Sequence, residues 1–420
     1  MTDERLMPAA LAGIRVLDLS RVLAGPWASQ LLADYGADVI KVEKPGSGDD
    51  TRHWGPPWLQ GGDGNATGES AYFLASNRNK RSIAVDIKSP DGQAIVTDLA
   101  ARSDILIENF RVGALRQYGL DDATLRERFP RLIYCSISAY GQDGPHAMEA
   151  GYDAMIQAAA GLMSITGERD GPPLKTGVAV ADLMAGMYAA TAILAALHAR
   201  DVSGAGQHID VPLFDTQVAW LANQATNYLV SGTVPQRLGN AHPNIVPYQS
   251  FNTADGYLML AVGNDRQFAA CVKCLGIAEL ADDPRFSSNA KRVAHRDSLV
   301  DLLARQFSKR STGDCLQLLT EAGVPCGPVN DLQQVFSSDQ VKARKLLQTL
   351  SHPVAGDIPV VANPVRFSAT PVSLHSAPPL LGQHTREVLE KELGFSVDRI
   401  DQLRRGGVVS CEPTQATDKR

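Results

Sequence analysis

Few residues in this chain stand in a pattern that dictates chemistry on its own. Cys271 and Cys274 form a C-x-x-C pair, but no second pair or clustered histidine accompanies them. Two half-buried helical thiols are therefore expected, not a zinc or redox site. The nine histidines are scattered without metal-ligand spacing, and no metal site is expected. No G-x-G-x-x-G opens a helix after a strand, and Walker A, H-E-x-x-H and G-x-S-x-G sequences do not occur. What remains is carboxylates, glycine loops and some basic residues. Asp182, one of 46 acidic residues, stands at the start of the helix-like stretch Asp182–Arg200. Local rules read Asp182 as a helix cap. A helix start is also where free N–H groups stabilise a carboxylate and developing oxyanions, so a catalytic reading stays open beside the cap.

The elements that must position these groups alternate. Ile14–Leu19, Val39–Glu43, Ser82–Ile87, Asp104–Glu108, Leu132–Ser138 and His208–Val211 read as strands. Trp27–Tyr35, Pro90–Arg102, Ala154–Gly161, Asp182–Arg200 and Asp215–Leu229 read as helices. Strand, helix, strand in sequence implies a parallel α/β sheet wound by crossovers. The texture changes near Ser231. Beyond it Gly256–Val262 reads as a strand, and Arg266–Leu275, Arg296–Phe307 and Thr312–Ala322 as helices. The expected division is 1–224 for a large domain, 225–330 for a small inserted one, and 331–420 for a return to the first, with a helix at Thr385–Leu393.

The 420 residues are 44% hydrophobic and 20% charged, ordinary for a globular protein with a large core. A formal net charge of −6 lacks the basic footprint of a nucleic-acid partner. The N-terminal Met1–Ala12 has no signal-peptide pattern. No run reaches the ~18 apolar residues of a membrane span, and the closest, Gly177–Leu197, is interrupted by Asp182. A cytoplasmic protein is expected. Six cysteines in a chain of this length do not form a disulfide framework. The residues from Cys411 onward are polar and expected to fray.

Five segments, in order and spacing, carry a resemblance: Arg21-Val22-Leu23-Ala24-Gly25-Pro26; Ala37-Asp38-Val39-Ile40-Lys41-Val42-Glu43; Asn77-Arg78-Asn79-Lys80-Arg81-Ser82; Glu108-Asn109-Phe110; and Tyr140-Gly141-Gln142-Asp143-Gly144-Pro145. With Leu380-Leu381-Gly382-Gln383-His384-Thr385, the chain resembles the class III CoA-transferase family (CaiB/BaiF type, which includes formyl-CoA transferase) from about Leu11 to about Gly407. The segments Asp49–Pro57 and Gly239–Gln249 resemble the branch that uses succinyl-CoA and glutarate.

The resemblance implies a Rossmann-like, doubly wound parallel-sheet domain built from both chain ends, with a smaller inserted α+β domain. It implies an interlocked homodimer, with the active site between the large domain of one subunit and the small domain of the other. Asp182 matches the family's nucleophile. Val22 and Ala24 match the path of coenzyme A, and Gly25 matches a close approach of ligand. Lys44 and Lys88 match basic positions at the nucleotide phosphates, against the plain alternative of solvated surface charges. Val85 matches an adenine contact, and Asn109, Phe110 and Ala114 match the pantetheine wall, although Phe110 alone would pass for a core aromatic. Two positions depart from formyl-CoA transferase: Ser138 and Gln117 stand where it has basic residues, although Arg116 is adjacent, and an altered phosphate clamp is expected.

A dicarboxylate leaves one carboxylate idle, which calls for an arginine fork. Arg52 is the first candidate and Arg21 the second. Asn240 and His242 are expected donors from a closing loop, and Gln142 a group that orients the reacting carboxylate. Implied substrates are an acyl-CoA and a short dicarboxylic acid, with no permanently bound cofactor and no nucleic-acid or membrane partner. The α-methylacyl-CoA racemases share this framework but carry a histidine about thirty residues before the aspartate. Here that turn reads Gly151-Tyr152-Asp153, and tyrosine, with an ordinary pKa of ~10, does not replace that base.

Overall fold

A computed structural model of the chain describes residues 9–62 and 64–411. The expectation of a frayed tail, and most of the N-terminal segment inspected for a leader, fall outside the described residues.

Alternating side chains set the architecture. Along the strands, Val16, Val39, Ile105, Ile133 and Val211 enter one core, while Leu17, Ile40, Ile83, Leu106 and Tyr134 enter another. A strand buried on both faces needs helices on both, and it has them. Ala24–Asp34 and Val180–Ser203 contribute to the first core, and Pro90–Ala100, Thr385–Lys391 and Val397–Arg405 to the second. The seven strands run in the order Val409–Ser410, Lys80–Val85, Asp38–Glu43, Arg15–Asp18, Ile105–Glu108, Ile133–Ser138, His208–Pro212. All neighbours are parallel except the edge strand Val409–Ser410. Without that edge, strands one to six lie in the doubly wound order 3-2-1-4-5-6. The order reverses between Arg15–Asp18 and Ile105–Glu108.

The helix Ala24–Asp34 crosses the long helix Val180–Ser203 at Gly186, where an added Cβ would stand 2.6 Å from the Ala24 carbonyl oxygen. The long helix corrects one expectation. Its 24 residues, with a window of mean hydropathy 1.7, are long and apolar enough to cross a membrane. Its Ala181, Ala185, Ala189 and Ile193 instead pack in the first core.

The chain divides into two compact units. The first holds residues 1–160, 177–222 and 342–420; the second holds 161–176 and 223–341. The expected return at 331 thus falls at 342, and 161–176, expected in the large domain, belongs to the second unit. That unit has a three-stranded antiparallel sheet, Cys326–Pro328, Tyr257–Ala261, Tyr248–Asn252, under helices Asp265–Cys274, Arg296–Phe307 and Thr312–Glu321. Cys271 is buried in its core beside half-buried Cys274, whose thiol donates to the Cys271 carbonyl. The single helix expected over Asp215–Leu229 is two, Leu213–Ala219 and Ala222–Ser231, because Ala222 takes a φ of 49°.

Candidate active site

Ligands of doubly wound sheets bind outside the carboxyl ends of the strands where the order reverses. A cavity of about 300 Å³ lies there. Its lining comes from the residues that follow four strands: Leu19, Ser20 and Arg21; Lys44; Asp86, Ile87 and Lys88; and Phe110. Val85 closes its wall, and Lys44 and Lys88 are exposed on it. Five of the residues expected to meet coenzyme A or its partner acid therefore share one cavity: Arg21, Lys44, Val85, Lys88 and Phe110. Ala24 is buried at the start of its helix, and Ala114 is half-buried in the turn after Phe110.

The turn after the first strand is held under strain. Val22 has a φ of 69°, where a β-branched residue is rarely found. Its N–H donates to both carboxylate oxygens of Asp49, each at 3.2 Å. Asp49 is in turn paired with Lys41 at 2.9 Å, both side chains fully buried. Burial alone would raise the Asp49 carboxyl, but the Lys41 charge and the Thr51 N–H hold it at about 2. Lys80, 3.3 Å from Asp18, extends this charged floor, and burial lowers its ammonium to about 8. Sequence reasoning missed the Lys41–Asp49 pair, since a lysine inside a strand reads as a solvated charge.

Three residues expected at the ligand are engaged within the fold. Gly25 makes room for the Ser20 side chain, since an added Cβ would lie 2.2 Å from Ser20 Oγ. Asn109 commits its amide to the main chain of Arg21: Oδ1 accepts its N–H at 2.9 Å and Nδ2 donates to its carbonyl at 2.7 Å. Arg52 is not an exposed fork but is 5% exposed. It donates to Glu43 through Nε and Nη2 at 2.8 Å each, to Glu69 at 3.0 Å and to the Pro379 carbonyl at 3.0 Å. Its guanidinium also lies 3.6 Å from the centre of the Phe73 ring. A substrate carboxylate would have to displace Glu43 to reach it. The positive charge the sequence placed in a substrate loop is thus spent on the fold.

Asp182 stands in the first turn of the long helix. It does not cap that helix. Oδ1 of Asp153 accepts from the N–H of Ala181 at 2.8 Å and of Asp182 at 3.2 Å, taking the cap role from another helix. Among the described residues, the Asp182 carboxylate has no hydrogen-bond or ion-pair partner. Burial, and then the Asp153 charge, push it up to about 7. Tyr72 is near enough for Asp182 to help raise its phenol, after burial, and its ring meets Trp54 edge-on at 5.2 Å. Such a carboxylate is poorly solvated and uncommitted, as a nucleophile needs to be. Tyr152 heads the Asp153 helix and is 64% exposed.

The remaining expected donors are placed as follows. Gln142 lines a second cavity of about 450 Å³, with its N–H held by Asp210 at 2.8 Å. In the second unit, Asn240 donates to Ser250 at 2.9 Å. His242 stacks on Tyr248 at 5.2 Å and accepts the Asn244 N–H. Burial and nearby Arg296 lower its imidazole below the ordinary value. Ser138 Oγ accepts the Gly141 N–H, and Gln117 donates to the Ala114 carbonyl.

A doubly wound sheet with a cavity at its switch point, and a poorly solvated aspartate on a helix of the same unit, place the chain among the ligand-binding α/β proteins. The chain belongs to CoA-transferase family III, whose family model matches residues 11–385. It is 50% identical over 389 residues to the succinate–glutarate CoA-transferase of Agrobacterium fabrum, covering 93% of this chain and 97% of that protein. It is 46% identical over 405 residues to the succinyl-CoA:glutarate CoA-transferase of Mus musculus, covering 96% and 91%. The crystal structure of a CaiB/BaiF family protein from Brucella suis superposes with a TM-score of 0.81 at 47% identity, covering 91% of this chain and 99% of that one.

Proposed function

We propose that this CoA-transferase moves coenzyme A from succinyl-CoA to glutarate or a similar short dicarboxylate, with Asp182 as covalent nucleophile. The names of the two relatives support the substrates. The free carboxylate of Asp182, with its helix N–H groups occupied by Asp153, is the observation that carries the mechanism.

Asp182 attacks the succinyl carbonyl, the C–S bond breaks, and CoA leaves as thiolate. The thiolate attacks the Asp182 carbonyl of the mixed anhydride and releases succinate, leaving an aspartyl-CoA thioester. A glutarate carboxylate attacks that carbonyl and frees the thiolate again. The thiolate then takes the glutaryl group from the second anhydride and restores the Asp182 carboxylate. No net proton moves, and the thioester's energy is kept in covalent form throughout. The CoA thioester is a substrate and not a resident cofactor.

The test is a panel of acids assayed with succinyl-CoA. Glutarate or a near relative should give the highest kcat/KM. A preference for monocarboxylates would refute the dicarboxylate assignment. In deuterated water the enzyme should not exchange an α-proton of 2-methylacyl-CoA, because Tyr152 stands where a racemase carries histidine; rapid exchange would favour the racemase reading instead.

A further inference from the structure

We propose that Arg21 is a mobile phosphate-binding arm for coenzyme A, and that Asp50 holds it when CoA is not bound. The proposal rests on the CoA-transferase reading and adds a residue role to it. The root of the arm is fixed: both main-chain groups of Arg21 are bonded to the Asn109 amide, at 2.9 and 2.7 Å. The tip is not. Its guanidinium pairs with Asp50 at 3.0 Å, with side chains 46% and 54% exposed. An ion pair in that much water is weak and exchanges partners readily. The guanidinium also stands 5.5 Å from the centre of the Phe110 ring, and both residues line the cavity at the switch point.

The other cations on that cavity divide into two kinds. Lys41 is buried and committed to Asp49. Lys44 and Lys88 are exposed point charges. Coenzyme A brings a pyrophosphate and a 3′-phosphate, and a planar fork binds such oxygens in pairs, as an ammonium does not. Of the cations that line the cavity among the described residues, only Arg21 offers a fork. It fits the nucleotide better than the idle carboxylate of the acceptor acid, because Lys44 and Lys88, which follow the strands Asp38–Glu43 and Lys80–Val85, put two further cations on the same cavity at the carboxyl ends of the doubly wound sheet, and one carboxylate would not need three.

The test is titration calorimetry of the full-length protein with free CoA, which needs no assumption about the acceptor. Arg21→Ala should weaken binding about 10-fold, Arg21→Lys should recover part of the loss, and Asp50→Asn should tighten binding about 2-fold. With dephospho-CoA, an unchanged loss in Arg21→Ala locates the contact at the pyrophosphate, and a vanished loss locates it at the 3′-phosphate. CoA affinity within 2-fold of wild type in Arg21→Ala overturns the proposal. So does a rise in the KM for glutarate at unchanged CoA affinity, which would make Arg21 the acceptor's anchor. If glutarate is not a substrate but the CoA series behaves as stated, only the substrate assignment fails.

Discussion

Asp182 carries its charge in a place that disfavours it. Its carboxyl is pushed up to about 7 by burial and then by Asp153, so a substantial fraction is protonated near neutral pH. The protonated acid cannot attack, and kcat/KM should therefore rise with pH through a limb near 7 and level off above it; a profile flat from pH 5.5 to 8.5 would contradict this. Stability runs the other way. Between the ordinary carboxylate value and about 7, the folded protein binds more protons at Asp182 than the unfolded chain does, so stability falls as pH rises through that window. Asp182→Asn should remove this penalty. At pH 8 it should be more stable than wild type by about 1–3 kcal/mol in urea unfolding, while losing at least ~10³-fold in rate. The sequence made Asp182 visible only through its surroundings, because locally it reads as a cap. Asp153, the residue that does cap the helix, was in view in the Gly151-Tyr152-Asp153 turn. Its contact spans 28 residues, and nothing in the spacing shows that a carboxylate from one helix reaches the N-terminus of another.

At the scale of elements, close packing and buried charge position the site. The helix bearing Asp182 meets the helix Ala24–Asp34 at Gly186, and a larger side chain there must push the Ala24 carbonyl away. Gly186→Val should destabilise the protein by about 1–3 kcal/mol and lower kcat, since the start of the helix carries Asp182, the proposed nucleophile. Arg52→Ala should destabilise by about 3–5 kcal/mol, because Glu43 and Glu69 lose their shared cation. Whatever protein remains folded should keep the proposed preference for dicarboxylates; a switch to monocarboxylates would restore Arg52 as the acceptor's anchor. The sequence carried the main strands because their apolar runs are strong. It missed Trp58–Gln60, Ala66–Ser70 and the hairpin of Leu347–His352 with Gly356–Val361, which are short or polar on one side. It placed Arg52 outside for a related reason: residue type tells exposure only on average, and a fully paired arginine breaks the rule.

For the whole molecule, the alternation of strand and helix was enough to give a parallel α/β sheet wound by crossovers, the family resemblance added its doubly wound order, and a change in texture was enough to suggest a second unit. The boundaries were less legible. Residues 161–176 belong to the second unit although they lie between helices of the first, and no local composition marks a short excursion of that kind. The family resemblance leads to a homodimer. Light scattering should then give the mass of two 45.0 kDa chains at micromolar concentration. A monomer with full activity would contradict the expected shared active site.

If Asp182 forms the covalent intermediates, it can be trapped directly. The protein should be incubated with succinyl-CoA, trapped with hydroxylamine, digested and read by mass spectrometry. A hydroxamate is expected on Asp182, absent when succinyl-CoA is omitted and absent in Asp182→Asn. A hydroxamate on another carboxylate, or turnover in Asp182→Asn at a rate comparable with wild type, would contradict it.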